Sequence, residues 1–159
     1  MRPPIQLREV EDADVRVFFE HQRDKEAVHR AAFTHEDPSD CQEHLAHWRR
    51  IRADSTVLIR TVLVDDQVVG HVASFEMMGQ REVTYWIDRQ RWGRGHATSG
   101  LRAFLEVDPV RPLHARVAKD NHASIRVLQK CGFLVVGEDR GFAHGRGCEV
   151  EELVLMLEA

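Results

Sequence analysis

Three arginines and two glycines fall within one short stretch, Arg89-Gln-Arg-Trp-Gly-Arg-Gly95. Glycine lets the backbone turn left-handed and lets a ligand approach it closely. Guanidinium groups offer forked donors that match phosphate oxygens. Before this stretch, Glu82-Val-Thr-Tyr-Trp-Ile87 is aromatic and β-branched, which predicts a strand. After it, Ala97, Leu101, Phe104 and Leu105 share one helical face. A helix starting there leaves its first four N–H groups unpaired and carries partial positive charge. A strand, a glycine turn and a helix start make an anion site suited to phosphate. An ordinary turn on an arginine-rich surface is the plainer alternative.

Candidate proton carriers lie nearby. Alternation puts Glu82, Thr84 and Trp86 on one face of the strand. Glu82 is the first candidate base, because a carboxyl desolvated beside a ligand titrates nearer neutrality. Glu76, ending the preceding strand, is the second, and a plain surface carboxylate is the alternative for both. Asn121 can cap a short helix, and Ser124 in its first turn can satisfy backbone groups. Cys41, His44 and His47 recur every three residues, but i and i+6 on a helix diverge by ~60° and ~9 Å. No metal site is expected.

The elements that must position these groups follow from periodicity. Ile5 to Val10 alternates and reads as an opening strand. Asp12 or Asp14 can cap a helix through Val15, Phe18 and Phe19 to about Arg23. Ser39 or Asp40 begins a second helix reaching about Arg52, with Leu45, Trp48 and Ile51 as its apolar stripe. Thr56 to Val64 and Val68 to Phe75 form a hairpin about Asp65-Asp66-Gln67. Asp108-Pro109 ends the main helix, and Leu113 to Ala118 is the next strand. Asn121 starts a last helix that Gly132 stops. Phe133 to Gly137 and Val150 to Leu157 are the final strands, with Gly141 to Gly147 as a flexible loop between them. The strand at 82–87, the helix and the strand at 113–118 form a crossover, so those strands run parallel.

Two motifs now resemble a known family. Gln90-x-x-Gly93-x-Gly95-x-Ala97 is similar to the acetyl-CoA signature of the GNAT N-acetyltransferase superfamily. Asn121-x-x-Ser124, followed at the expected spacing by Gly132-Phe133, is similar to that family's next motif. The strand Glu82 to Ile87 resembles the branch containing ribosomal-protein-alanine acetyltransferases (RimJ/RimL-like). The resemblance implies one α/β (α+β) GNAT domain over residues 1–159. Its mixed sheet would have about seven strands, splayed parallel at the centre, and about four flanking helices. It implies acetyl transfer from acetyl-CoA to a primary amine, a protein N-terminus or a small molecule, by direct attack through a tetrahedral intermediate.

The site residues come with that resemblance. The pyrophosphate would lie on backbone amides of Arg91, Trp92, Gly93, Arg94, Gly95, His96 and Ala97, helped by the Arg91 and Arg94 side chains. The pantetheine arm would pair with the main chain of Trp86, Ile87 and Asp88, and Asn121 would contact the coenzyme. Leu128 stands where the family often places a tyrosine and cannot give a proton. The branch gives that role to a serine, here Ser124. A weakly basic α-amine needs no base, since its pKa is near 8. Phe33, Thr34 and His35 are implied acceptor-site residues, and homodimers are frequent in the family.

Composition sets outer bounds. The chain has 159 residues, 43% hydrophobic and 30% charged, enough for one proper core. The net charge of −4 does not suggest a nucleic-acid partner. The longest apolar stretch is interrupted by Arg60 and too short for a bilayer. Met1-Arg-Pro-Pro lacks an apolar segment, so no export signal and a cytoplasmic location are expected. Cys41, Cys131 and Cys148 form no disulfide framework. Two rivals stand beside the transferase: a non-catalytic acetyl-CoA sensor or interaction domain, and a dinucleotide-binding oxidoreductase with Asp120 on a ribose. The latter lacks the third glycine and the remaining βαβ units.

Overall fold

The computed structural model describes residues 4–159; Met1 to Pro3, part of the stretch read for an export signal, lie outside the described residues. In chain order the elements are β1 (Ile5–Arg8), α1 (Asp12–Gln22), α2 (Lys25–Ala31), α3 (Cys41–Ala53), β2 (Leu58–Val64), β3 (Gln67–Met77) and β4 (Gln80–Ile87). A single 3₁₀ turn (Arg89–Arg91) leads to α4 (His96–Val107), β5 (Leu113–Ala118), α5 (His122–Lys130), β6 (Leu134–Ala143) and β7 (Cys148–Leu157). The strands form one seven-stranded sheet in the order β1-β2-β3-β4-β5-β7-β6. Only β4 and β5 pair in parallel, as a crossover through α4 requires.

Central strands covered on both faces read as apolar runs, and Val62, Val64, Val69 and Val72 are almost fully buried. One face packs Leu101 and Phe104 of α4 with Leu128 of α5 and Phe133. The other packs Val15 and Phe18 of α1 against Trp48 of α3. Each such side chain contributes about 2–3 kcal/mol by leaving water. The two layers therefore hold β4 rigidly, with one face toward α1 and α3 and the other toward α4 and α5.

The sequence expectations need four corrections. One helix was not foreseen: five α-helices stand among the described residues where about four were expected, and α2 follows α1 directly, with the Asp24 carboxylate accepting the Ala27 N–H at 3.0 Å. The cap of α1 is Glu11 rather than Asp12 or Asp14. Asp14 instead reaches back to the Glu11 N–H and pairs with Arg8, buried against Thr61. The last hairpin is longer than expected, because β6 continues to Ala143 and only residues 144–147 turn. That turn is also anchored rather than loose. The Gly145 N–H donates to the Ala32 carbonyl at 2.8 Å, and Arg146 forks onto Asp120 at 2.7 and 2.8 Å. No described helix is long and apolar enough to cross a membrane.

Candidate functional site

Gly93 and Gly95 adopt φ of +77° and +78°. Side chains of L residues are strained there, which explains both glycines. A Cβ at Gly93 would meet nothing within 4 Å, so open space lies above it. Gly95 is the N-cap of α4; no side chain caps that helix, and its first turn holds no acid. The positive end of α4 is thus left for an outside anion. Arg94 is exposed at this end, while Arg91 donates to Gln67. Arg89 is engaged elsewhere: its Nε donates to Asp24 at 2.7 Å, and that bond holds Asp24 below the usual carboxylate range. Trp92 donates its indole N–H to the Ile87 carbonyl at 2.9 Å, and His96 is buried behind the turn. The Asp88 N–H donates to Val69 at 2.8 Å, closing the end of β4. These residues fit a diphosphate.

Beside the cradle the sheet opens. The β4–β5 ladder consists of Arg81↔Leu113 and Glu82↔His114 and goes no further. Where the strands part, the Tyr85 hydroxyl lies 2.6 Å from Ser124 Oγ and 3.3 Å from the Ser124 carbonyl. Burial pushes the Tyr85 phenol up to about 12, so it keeps its proton at neutral pH. Asn121 Oδ1 accepts the Ser124 N–H at 3.3 Å, as a helix cap does. Leu128 is 1% exposed and belongs wholly to the core. The sequence reading missed Tyr85, although it is the chain's one tyrosine.

Glu82 is buried, but it is not alone. Arg116 Nε donates to it at 3.1 Å, and the same guanidinium donates to Glu152 at 2.7 Å and Asp139 at 3.0 Å. Those bonds, the one to Glu152 foremost, raise the Arg116 pKa above its ordinary value. Glu76 is exposed and lies 3.6 Å from Arg81.

A cavity of ≈390 Å³ opens on the α1/α3 face of β4. Thr84 and Trp86 of β4 line it, as do His71 of β3 and Phe18 of α1. His71 stands directly across from Trp86 in the β3–β4 register. Its ring centroid is 4.7 Å from Phe18 and 4.9 Å from Trp48. Burial drives the His71 pKa down to about 3, helped by neighbouring histidines, so the ring stays neutral. His47 also lines the cavity and is lowered by burial first and then by His35 and Arg50. Phe33, Thr34 and His35 line the cavity from the loop after α2. Glu82 is not among the lining residues. Among the described residues, His71 Nδ1 and Trp86 Nε1 are buried without hydrogen-bond partners.

The Cys41-His44-His47 set does not converge. His44 Nε2 contacts the Val15 carbonyl at 2.7 Å, His47 stacks edge-on to His35, and Cys41 is exposed. No described group of three His, Cys, Asp or Glu is placed to hold a metal. Asp120, the ribose acid of the dinucleotide alternative, forms an ion pair with Arg146.

The family model for the acetyltransferase (GNAT) domain matches residues 5–134. No curated protein matches the chain. Among solved structures, the chain resembles a ribosomal-protein-alanine N-acetyltransferase from Brucella melitensis, with TM-score 0.81, 20% identity and coverage of 97% of this chain and 99% of that one. RimJ of Mycobacterium smegmatis in complex with CoA-disulfide gives TM-score 0.78, 21% identity, and coverage of 99% and 85%. Spermidine N-acetyltransferase from Vibrio cholerae in complex with CoA and spermine gives TM-score 0.77, 18% identity, and coverage of 96% and 95%. At such identities these likenesses speak for the fold.

Proposed function

The chain belongs to the GNAT acetyltransferase family, and from that premise we propose that it acts as a single domain moving acetyl from acetyl-CoA to a primary amine, on a protein N-terminus or a small molecule. The observation that carries this is the uncapped start of α4, with left-handed Gly93 and Gly95 beside the parting of β4 and β5. When bound, acetyl-CoA supplies an activated thioester. The Arg91 and Trp92 N–H groups donate to the Asp88 and Arg89 carbonyls at 2.8 and 3.2 Å, so in this reading the backbone N–H groups from Gly93 to Ala97 would hold the diphosphate, with the Arg91 and Arg94 side chains adding charge. The main chain of Trp86, Ile87 and Asp88 holds the pantetheine arm along the edge of β4 that β5 leaves, and Asn121 adds a further contact. A β4 N–H on the same edge stabilises the oxyanion of the tetrahedral intermediate. Ser124 gives a proton to the departing thiolate.

The Tyr85–Ser124 bond supports that last role. Either oxygen can donate in this 2.6 Å contact; in this reading the phenol donates to Ser124 Oγ, which leaves the serine proton free to point at the leaving group. Glu82 is the base in this reading, with Glu76 as the second choice. A neutral α-amine dispenses with both. We place the protein in the cytoplasm, with no metal, membrane or nucleic-acid partner.

A second reading, a non-catalytic acetyl-CoA sensor, is favoured by Leu128, whose core position leaves no hydroxyl there. Calorimetry and thiol release decide between them. Acetyl-CoA is expected to bind while NAD does not, and CoA thiol is expected to appear with at least one amine. Binding without turnover across peptide, aminoglycoside and monoamine panels supports the sensor. A cradle that ignores acetyl-CoA overturns both.

A further inference from the structure

The walls of the ≈390 Å³ cavity carry information about the amine. None of its lining residues is Asp, Glu, Lys or Arg. Phe18, Phe33, Trp48 and Trp86 give it aromatic walls, and His71 lies between two of them. Its size is that of a small-ligand pocket. We propose that the acceptor is a primary monoamine with an aromatic or branched apolar body and no second charge, entering uncharged. This deepens the transferase reading above and rests on it.

Three observations converge. First, an ammonium moved into this cavity would lose water and find no carboxylate among the lining residues, a loss that contact with aromatic faces offsets only in part. A polyamine, with a second or third ammonium, bears the cost repeatedly. Second, an anionic substrate finds no cation either, since burial keeps His71 neutral. Third, the faces of Phe18, Phe33, Trp48 and Trp86 that line the cavity match an aromatic or branched apolar body rather than a polar chain.

The titratable groups facing the cavity are His35, His47 and His71. Just behind it, His21 lies 3.8 Å from Asp88 and is lowered chiefly by burial. Above neutral pH, the change in protonation therefore comes from the ligand. Binding of 2-phenylethylamine to the CoA-loaded protein is expected to tighten about tenfold per pH unit between pH 7 and 9, as its neutral fraction grows. Spermidine is expected to bind at least tenfold more weakly throughout. Phe33→Ala, at an exposed rim position, is expected to weaken 2-phenylethylamine about fivefold and to leave acetyl-CoA affinity unchanged. Calorimetry reads all three. Tighter binding of spermidine, or an affinity for the monoamine that is flat with pH, overturns the proposal while acetyl-CoA binding keeps the transferase reading. Loss of acetyl-CoA binding in the unaltered protein overturns both.

Discussion

At the scale of single residues, the contact that most changes the chemistry is the one between Tyr85 and Ser124. A serine hydroxyl that rotates freely offers its proton in many directions, whereas a hydroxyl held at 2.6 Å offers it in few. In the proposed mechanism Tyr85 is a positioning residue acting through Ser124. Ser124→Ala is expected to lower kcat by about a hundredfold, the lower end for a lost general acid. Tyr85→Phe removes one hydrogen bond worth about 1 kcal/mol and is expected to lower kcat five- to tenfold with KM for acetyl-CoA unchanged. The double variant should be no slower than Ser124→Ala alone. A Tyr85→Phe loss of equal size in the Ser124→Ala background, measured by steady-state thiol release, removes the positioning role.

At the scale of elements, the start of α4 sets the cofactor side. Gly93 and Gly79 make a matched pair: both have φ near +80°, and a Cβ added to either would meet no atom within 4 Å. Each alanine substitution is expected to cost about 1 kcal/mol of stability through backbone strain. Only Gly93→Ala should also weaken acetyl-CoA, by about tenfold or more, since only its Cβ enters space meant for a ligand. Equal affinities for the two variants in calorimetry argue against the cradle. Elements with strong periodicity were legible in the sequence: Leu113–Ala118 emerges with the bounds read from it, and Asp40 and Asn121 cap as expected. The short helix Lys25–Ala31 was not legible, because its seven residues carry no apolar stripe and bury only Ala27. The second half of β6 was hidden for a related reason: as an edge strand it is exposed on both faces and does not alternate. Within the site, the glycine cradle is a local pattern and was visible. The Glu82–Arg116 pair and the Tyr85–Ser124 bond join residues 34 and 39 apart, across the splay, where no spacing rule reaches.

At the scale of the whole molecule, buried charge and buried neutrality both tie stability to pH. Asp108, fully buried, accepts hydrogen bonds from Ser74 and Arg81 and so fastens the end of α4 to the start of β4. His71 works in the opposite sense. Its folded pKa of about 3 lies below the ordinary 6.5. As pH falls through 6.5 the unfolded chain takes up a proton that the folded chain refuses, so stability is lost across that window and is complete only above it. His21, His44 and His47 are also lowered by burial and act in the same direction. Replacing His71 by Phe is expected to remove about a quarter to a third of the stability lost between pH 7 and 4.5, as one of four such histidines. Urea unfolding at the two pH values measures it, and an unchanged loss refutes the assignment.

The hairpin tip at Gly145 links two regions far apart in the chain. A methyl there would collide with the Val28 carbonyl oxygen and fall 2.9 Å from that of Ala32. It would therefore push on the peptide immediately before Phe33. The cavity rim at Phe33, which is the amine's entrance in the proposed reading, is thus backed by a residue more than a hundred positions downstream. On that reading, drift at Gly145 would retune substrate choice while the thioester machinery stayed as it was.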